Sequence, residues 1–276
     1  MKHVAITFDD GRSDNYLLAK EIMDRYQFRG TVYVTTGFID GTWKEKEVLK
    51  SPTRPLSVAE IKNLHEAGWE IGLHGDKHQL QVEDMRTALQ KLQLWGIENP
   101  CWGVSAPNSK GEEAEIAAML ASEYGTQIAY IRRGRKCDTT KLKNRVLYAA
   151  YSLLKAKWAY RHFNAENSFT PETLERSNLP SVVVKAKDRP EWIADFIRQL
   201  PDDSAVVLML HSILPADHPV CGKDPWSWES GRFEKLCQEL KSLTTKGEAE
   251  VLPLMELVKG RDRNDKSRKQ SYSVEY

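Results

Sequence analysis

Two adjacent carboxylates stand at the end of the first predicted strand. The apolar run Val4–Phe8 leads directly into Asp9 and Asp10, and like charges side by side repel each other. A bound cation that takes one carboxylate as a ligand would remove this repulsion and leave the other free as a base. The pair therefore indicates a metal-assisted site, although neighbouring acids are also common on solvated loops.

Histidines at two further predicted strand ends extend this pattern. His74 follows the predicted strand Trp69–Leu73, and His78 stands four residues later. If the chain turns helically there, two imidazoles lie on one face, and with a carboxylate they form a metal site with open positions. His211 ends the predicted strand Ala205–Leu210. A pair of surface histidines would show the same spacing, so the metal interpretation depends on all these strand ends meeting.

The strand ends belong to a regular alternation of strands and helices. The predicted strands lie near residues 4–8, 31–35, 69–73, 101–105, 126–131, 182–184, 205–210 and 251. Apolar residues at three- and four-residue spacing mark the helices between them, and one helix begins with a capping box at Ser57 and Glu60. Eight strand candidates separated by helices predict a parallel, barrel-like β/α fold with its active site at the carboxyl ends of the strands.

The composition excludes several classes of protein. A chain of 276 residues with 41% hydrophobic residues can bury the core of one large α/β domain or two small ones. The 40 Lys and Arg nearly balance the 39 Asp and Glu, so charge gives no support for a nucleic-acid partner. Four cysteines without a C-x-x-C pair disfavour a cysteine zinc site and a disulfide framework. Without a signal-peptide pattern or a membrane-spanning run, we predict a cytoplasmic protein with no integral membrane segment.

Two stretches depart from the alternation. Residues 37–55 carry Gly, Pro and charge without a clear period and predict a long loop or lid. A basic, amphipathic helical insertion occupies about residues 132–180. We predict one domain over residues 1–259 that includes this insertion, followed by a polar, disordered tail over residues 260–276.

Taken in order, the motifs resemble those of the NodB-like polysaccharide deacetylases, carbohydrate esterase family four. The motifs similar to the first, second and fifth of that family are Thr7-Phe8-Asp9-Asp10, His74-x-x-x-His78 and Leu208-x-Leu210-His211. The resemblance extends from about Lys2 to Leu257. It implies a distorted (β/α) barrel of seven or eight parallel strands, and a metal-dependent hydrolase that removes an N-acetyl group from an amino sugar.

The resemblance also implies roles for the strand-end residues. Asp10, His74 and His78 would hold one divalent metal ion, usually zinc in this family. Asp9 would be the general base for the attacking water, and His211 the general acid that protonates the leaving amine. Histidine suits that step because its pKa lies near neutrality.

Two of the family's motifs are altered in this chain. The third motif normally reads Arg-x-Pro, but here Ser105-Ala106-Pro107 keeps only the proline. The fourth normally supplies acidic residues and Trp, but here it reads Arg132-Arg133-Gly134-Arg135. One interpretation is that an arginine has moved from strand four to strand five and steadies Asp9 or Asp10 from there. The other is that these arginines form a solvated basic face.

The candidate substrate-binding residues are Pro107, Arg132, Arg133, Arg135, Trp226 and Trp228. The arginines suit a phosphate-bearing carrier, and the tryptophans would either stack on a sugar face or pack as core. We predict an amino-sugar substrate from a cytoplasmic glycan precursor or small glycoconjugate, phosphate- or lipid-linked. The helical insertion would dock on the barrel or make peripheral contact with a membrane. The alternatives are a non-carbohydrate amide hydrolase on the same barrel and a carbohydrate-binding pseudoenzyme.

Overall fold

The computed structural model describes residues 1–44, 52–109, 112–134, 140–170 and 172–260. The strands within these ranges are β1 (Lys2–Phe8), β2 (Thr31–Val34), β3 (Glu70–Leu73), β4 (Trp102–Ser105), β5 (Ile128–Arg132), β6 (Ser168–Phe169), β7 (Val182–Val183), β8 (Ala205–Leu210), β9 (Ser212–Leu214), β10 (Ser227–Glu229) and β11 (Ala249–Val251). The α-helices within the same ranges are α1 (Glu21–Arg25), α2 (Thr36–Ile39), α3 (Val58–Glu66), α4 (Val82–Leu94), α5 (Glu113–Ala121), α6 (Leu142–Leu153), α7 (Lys157–Asn164), α8 (Pro190–Arg198) and α9 (Ser230–Thr245). A π-helical stretch over Asn15–Lys20 leads into α1, and residues 254–260 form a C-terminal helix.

Parallel strands form a distorted barrel around β1. This strand pairs with β8 along one edge, and with β2 and β11 at opposite ends of the other edge. From β2 the sheet continues through β3 and β4 to β5. The outer edge of β5 bonds to residues 176–181, where the Leu179 N–H donates to Ile131 O at 2.9 Å. That segment leads into β7, which pairs in parallel with β8, so the backbone pairing returns to β1. The predicted barrel of parallel strands is confirmed.

The barrel strands divide their side chains between an outer and an inner core. On β1, Val4, Ile6 and Phe8 pack outward in the larger apolar cluster, whereas Ala5 belongs to the smaller one inside the barrel. The inner cluster includes Ala5, Tyr33, Tyr130, Ala205, Val207, Leu254 and Leu257. Because successive side chains on a strand point to opposite faces, the residue after each strand continues one of these two rows. The C-terminal helix closes the barrel at the amino-terminal ends of the strands, where the Leu254 N–H donates to Thr31 Oγ1 at 3.0 Å.

The segment predicted as a helical insertion, residues 132–180, contributes to the barrel as well. Its helices α6 and α7 pack on each other and on α8, with the Tyr151 ring 5.4 Å from Tyr160 and 6.4 Å from Trp192. Between them and β7, β6 pairs antiparallel with β8, and residues 176–181 pair with β5. The insertion is therefore docked on the barrel, and its last part completes the sheet.

The helices follow the predicted signals with one exception. The capping box at Ser57 and Glu60 begins α3, with both of its hydrogen bonds formed. In α5 the apolar spacing that marks the helix in the sequence does not give a buried face to its end, because Leu120 is 42% exposed and the helix ends at Ala121. In the described part of the chain, no helix is long and apolar enough to cross a membrane. Residues 45–51 of the predicted lid, and the predicted tail from residue 261 onward, lie outside the described residues.

Candidate active site

The turn after β1 sends the two carboxylates in different directions. Asp9 is 2% exposed and continues the inner row of β1. Asp10 has a φ of 75°, and Gly11 also has a φ of 75°. A Cβ at Gly11 would lie 3.1 Å from Val34 Cγ1, so glycine suits this left-handed turn. The turn places the Asp10 carboxylate beside the histidines that follow β3.

Asp10, His74 and His78 form a compact cluster of potential metal ligands. Asp10 Oδ1 lies 3.5 Å from His74 Nε2 and 3.8 Å from His78 Nε2, and the two Nε2 atoms are 3.2 Å apart. His74 Nδ1 lies 2.9 Å from Ser105 O. Since a carbonyl oxygen only accepts, Nδ1 carries the hydrogen, and in the neutral imidazole Nε2 therefore has the lone pair that a metal ion would need. One donor atom from each of the three residues lies within 4.8 Å of the others, and this donor set fits a divalent ion such as zinc.

The loop from His74 to His78, here called the histidine loop, is held by Asp84 in the first turn of α4. The Asp84 carboxylate accepts backbone N–H groups from Asp76, Lys77 and Gln79 at 2.9, 2.9 and 3.1 Å. Gly75 has a φ of 80°, and a Cβ there would collide with the Asp84 carboxylate. Burial and the neighbouring His74 lower the pKa of His78 to about 4, so its imidazole is neutral at pH 7 and can offer a lone pair. Sequence reasoning missed Asp84; its signal was an acid in the first turn of the helix after the loop.

Asp9 is paired with Arg132 from the end of β5. The Arg132 side chain is 0% exposed, and its Nη2 lies 2.6 Å from both carboxylate oxygens of Asp9. Ser105 Oγ contacts the same guanidinium and lies 3.4 Å from Asp9 Oδ2. Burial acts to raise the pKa of Asp9, but the Arg132 charge, aided by His74 and His211, holds it below its ordinary value. Asp9 is therefore an anion at neutral pH.

The pairing of Arg132 with Asp9 supports one of the two interpretations of Arg132-Arg133-Gly134-Arg135, in which an arginine on strand five steadies an aspartate, over the other, a solvated basic face. Arg132 steadies Asp9 from strand five, and its complete burial removes it from the predicted set of substrate contacts. Arg133 is half-buried at the carboxyl end of β5, and its N–H donates to Leu179 O at 2.7 Å. Arg135, also predicted to bind substrate, lies outside the described residues.

Four polar side chains inside the barrel contact one another in a row, here called the barrel ladder. They are Glu70, Tyr130, Tyr33 and Arg132. The guanidinium carbon lies 5.1 Å from the centroid of the Tyr33 ring. The Tyr33 and Tyr130 hydroxyls are 2.8 Å apart, and the Tyr130 hydroxyl donates to Glu70 Oε1 at 2.5 Å. Glu70 Oε2 accepts the N–H of Met255 in the C-terminal helix at 2.8 Å. The ladder thus links the closed end of the barrel to Asp9.

Two glycines provide the space for this barrel ladder. A Cβ at Gly72 would lie 2.5 Å from the Tyr33 ring, and a Cβ at Gly103 would collide with the Tyr130 hydroxyl. Burial and the Glu70 carboxylate raise the pKa of both tyrosines well above the ordinary value, so both remain protonated donors. The sequence signal for the ladder was the placement of Tyr on β2 and β5 opposite Gly on β3 and β4, which sequence reasoning did not use.

Arg12 is a further residue that sequence reasoning missed. Its Nε and Nη2 donate to Asp10 Oδ2 at 3.1 and 2.6 Å, and its Nη1 donates to Ser212 Oγ at 2.8 Å. Burial acts to raise the pKa of Asp10, but Arg12 and His74 bring it well below its ordinary value. Arg12 occupies one carboxylate oxygen and leaves the other beside the imidazoles. An arginine two residues after a strand-end acid pair was the available signal.

His211 lies at the end of β8, beside Trp226. The two ring centroids are 4.6 Å apart, and the His211 carbonyl accepts from Asn15 Nδ2 at 2.8 Å. Its Nδ1 is buried and has no hydrogen-bond partner among the described residues. Burial lowers the pKa of His211, against the opposing effect of Asp10 and Asp9.

The remaining predicted substrate contacts occupy different surroundings. Trp226 is half-buried against His211. Trp228 is 2% exposed, donates from Nε1 to Asp188 O at 3.1 Å, and packs near Phe233. It is therefore a core residue and is not available to a sugar. Pro107 is buried just after β4. Trp43, from the predicted lid, is an unpredicted neighbour of the metal-ligand cluster, with its ring 5.9 Å from that of His78.

Comparison with known proteins identifies the fold. Residues 1–107 match the family model described as polysaccharide deacetylase. The structure of peptidoglycan deacetylase PdaC from Bacillus subtilis is similar over 99% of this chain and 97% of that chain, with a TM-score of 0.53 and 11% identity. The chain has a polysaccharide deacetylase fold.

A second structure shows the same polysaccharide deacetylase fold. It is a Mycobacterium smegmatis protein assigned as a polysaccharide deacetylase, with a TM-score of 0.53, 12% identity, and coverage of 96% of this chain and 91% of that chain. At these identities, both likenesses show the fold alone. No curated protein sequence matches the chain. The family match contains both strand-end aspartates and the histidine loop, whereas His211 and Arg132 lie beyond it.

Proposed function

We propose that the protein is a metal-dependent hydrolase that removes an N-acetyl group from an amino sugar. One observation carries this proposal: the mouth of the barrel holds a three-residue donor cluster next to a separate, ionised carboxylate. Asp10, His74 and His78 would hold the ion, and Asp9 is kept out of that cluster by its own arginine. Two adjacent carboxylates with different partners can take different roles in one reaction.

A divalent ion such as zinc, when bound, polarises an amide carbonyl and makes water more acidic. The protein's own contribution begins with Asp9, which is positioned to accept the proton of the attacking water. Arg132 keeps Asp9 ionised and fixes its orientation through two contacts of 2.6 Å. A base that is already deprotonated and held in place needs no rearrangement before the proton transfer.

His211 supplies the second proton transfer. An amide nitrogen leaves poorly unless it is protonated, so an acid must stand across the site from the base. His211 lies at the end of the neighbouring strand β8, on the same mouth as Asp9. Burial lowers the pKa of His211, and the charges of Asp10 and Asp9 oppose that shift without reversing it. Trp226 packs against its ring and limits the positions that the imidazole can take.

Acetate release and metal content test the proposal together. Purified protein supplied with zinc is assayed on a panel of N-acetyl amino sugars and simple N-acyl amines. Asp9→Asn and His211→Ala should keep the metal and lose acetate release by about a hundredfold or more. His74→Ala and His78→Ala should lose the metal, whereas His162→Ala, on the exposed side of α7, is the matched control.

Each result has a separate meaning. Undiminished metal content in both ligand variants would contradict the donor cluster. Acetate release near the wild-type rate in Asp9→Asn would contradict the proposed base. Turnover confined to N-acyl amines that are not sugars would assign a non-carbohydrate amide as substrate. Metal binding without any turnover would indicate a binding protein.

A further inference from the structure

A second cavity, of about 630 Å³, lies beside the candidate active site. It is bordered by the end of α6, the connection from β7 to α8, and the connection from β9 to β10. Its walls carry six cationic side chains, those of Lys155, Lys185, Lys187, Arg189, Lys223 and Arg232, and one carboxylate, that of Glu229. This cavity is called the cationic cleft below.

The lysines at the centre of the cationic cleft are paired with aromatic rings. Lys187 Nζ lies 2.7 Å from the Tyr148 hydroxyl and 4.3 Å from the centroid of that ring. Lys185 Nζ lies 4.9 Å from the centroid of the Trp226 ring. Both lysines are half-buried, and neither forms an ion pair with a carboxylate among the described residues. Partly buried cations that converge without counter-charges repel one another, and a bound anion relieves that repulsion.

Glu229, the one carboxylate among the lining residues, and Asp188, which lies next to Lys187 and Arg189 in the chain, are already used by other groups. Glu229 Oε2 lies 3.6 Å from Arg232 Nε, and Asp188 Oδ2 accepts the backbone N–H of Lys185 at 2.9 Å. Two helices also begin at the cleft, because the cap residues of α8 and α9, Arg189 and Glu229, both line it. Helix N-termini favour negative charge. The excess of cationic side chains on the walls therefore selects an anionic ligand.

Trp226 connects the cationic cleft to the catalytic mouth. Its ring contacts the ring of His211 and also lies under the Lys185 ammonium. Its chain neighbours Pro225 and Ser227 line the cleft. The Ser212 N–H donates to Trp226 O at 3.2 Å, which ties this loop to the strand directly after His211. A ligand held in the cleft would therefore be held next to the group that protonates the leaving amine.

We propose that the cationic cleft binds the phosphate or diphosphate ester of a phosphorylated amino-sugar substrate, whose acetamido group lies at the barrel mouth. This inference rests on the proposed function. Ammonium and guanidinium groups are the protein's strongest donors to phosphate oxygens, and the volume lies within the range of small-molecule sites, about 300–1,000 Å³. The sequence predicted a phosphate site at Arg133 and Arg135, whereas most of these cations come from the connection between β7 and α8 and the loop before β10.

A binding experiment tests the cleft without reference to turnover. Inorganic pyrophosphate is titrated by calorimetry into the zinc-loaded wild type, into a Lys185→Ala, Lys187→Ala variant, and into a Lys62→Ala, Lys246→Ala control whose lysines do not line the cleft. The cleft variant should bind at least about tenfold more weakly, and the control should match the wild type, with the difference shrinking as salt rises. All three proteins keep the metal-ligand cluster, so binding there is common to them. Equal affinities in all three would overturn the proposal.

A turnover experiment tests the substrate class. N-acetylglucosamine 1-phosphate and the neutral methyl glycoside of N-acetylglucosamine are compared as substrates for the same three proteins. The cleft variant should raise KM for the phosphorylated sugar at least about tenfold and leave the neutral sugar unchanged. Equal losses on both sugars would overturn the substrate assignment.

The two experiments separate failure of this inference from failure of the proposed function. If the wild type releases no acetate but the cleft variant loses pyrophosphate affinity, the deacetylase function fails and the phosphate site stands. If acetate is released while pyrophosphate affinity is the same in all three proteins, the function stands and the cleft inference fails. Co-sedimentation with phosphatidylglycerol vesicles that only the cleft variant loses, without a KM effect, would assign the cleft to a lipid headgroup and overturn the substrate assignment.

Discussion

The first prediction concerns the strand that carries the arginine beside Asp9. An exchange variant would move this arginine from β5, where this chain has it, to β4, where the family resemblance predicts it. In the family's third motif an arginine stands where this chain has Ser105, on β4, whereas the guanidinium here comes from Arg132 on β5. The two positions converge on the same carboxylate, because Ser105 Oγ contacts the Arg132 guanidinium and lies 3.4 Å from Asp9 Oδ2. We expect Arg132→Ser to be damaging, and the exchange variant, Arg132→Ser with Ser105→Arg, to recover much of the loss.

The size of the loss follows from the burial of the pair. The Arg132 and Asp9 side chains are 0% and 3% exposed, so removing the arginine leaves an uncompensated buried carboxylate. At an effective dielectric constant of about 20 and a charge separation of about 4 Å, the attraction is about 4 kcal/mol. Breaking a buried pair by removing one partner costs about 3–5 kcal/mol. We expect Arg132→Ser to lower the free energy of unfolding by that amount.

The same change should alter the pH dependence of activity. Burial is the largest influence on the pKa of Asp9, and Arg132 is the largest influence that opposes it. Removing Arg132 therefore raises the pKa of Asp9. The base is then protonated over more of the acid range, so the acid limb of the activity profile moves to higher pH. Arg132→Lys keeps a charge but loses the planar guanidinium, and should fall between the wild type and Arg132→Ser.

Urea denaturation followed by circular dichroism, together with acetate release, measures both effects. Arg29→Ser is the matched control, because it removes an arginine from an exposed ion pair, Arg29 with Glu256. The exchange variant should regain at least about 2 kcal/mol of the estimated 3–5 kcal/mol loss. A loss below about 1 kcal/mol in Arg132→Ser would refute the reasoning, since exposed ion pairs already reach that value. An exchange variant no better than Arg132→Ser would refute the idea that the arginine is interchangeable between the two strands.

Three further predictions concern the parts that support the site. Gly103→Ala should displace Tyr130 and lower the free energy of unfolding by about 1–3 kcal/mol, measured by urea denaturation. Asp84→Ala should leave three N–H groups of the histidine loop without their acceptor and weaken zinc affinity by about 10–100-fold, measured by competition with a chelating dye. The pKa of Glu60 is held at about 2 by Arg54 and the Ser57 N–H, so its contribution to stability is present above the ordinary value of 4.5 and is lost as pH falls toward 2. Glu60→Gln should therefore reduce the acid sensitivity of unfolding between those pH values, by about 1 kcal/mol because Arg54 is exposed.

The strands that could be predicted are those with a strong local pattern. All six residues of β8, Ala205–Leu210, are buried, and such a continuous apolar run is typical of a strand covered on both faces. By contrast, β6, β9 and β10 have two or three residues each. β7 is as short, but it lies in the β-branched run Val182–Val184. β6, β9 and β10 lie in no such run, and only their partner strands define them.

Some residues of the candidate site could also be predicted from the sequence, and others could not. The strand-end acids and histidines could be predicted because each follows an apolar run within the sequence. The barrel ladder could not, because its contacts join distant residues: Tyr33 and Tyr130 are 97 positions apart. Trp228 is a residue for which the sequence suggested a role in the site that the structure does not support. A tryptophan in a polar loop suggests stacking on a sugar, but Trp228 is buried against Phe233 and belongs to the core.

The central position of β1 has a consequence for how the chain acquires its shape during synthesis. β1 precedes the other described strands in the chain, and it pairs with β8 and β11, at His3 with Ala205 and at Lys2 with Ala249. Both partners are translated some two hundred residues later, so one edge of β1 stays unpaired until β8 has been synthesised. Folds dominated by such distant pairings form slowly and expose strand edges on the way. A nascent chain stalled before β8 would therefore expose one edge of β1 to chaperones, although Asp9, Asp10 and the histidine loop are already synthesised.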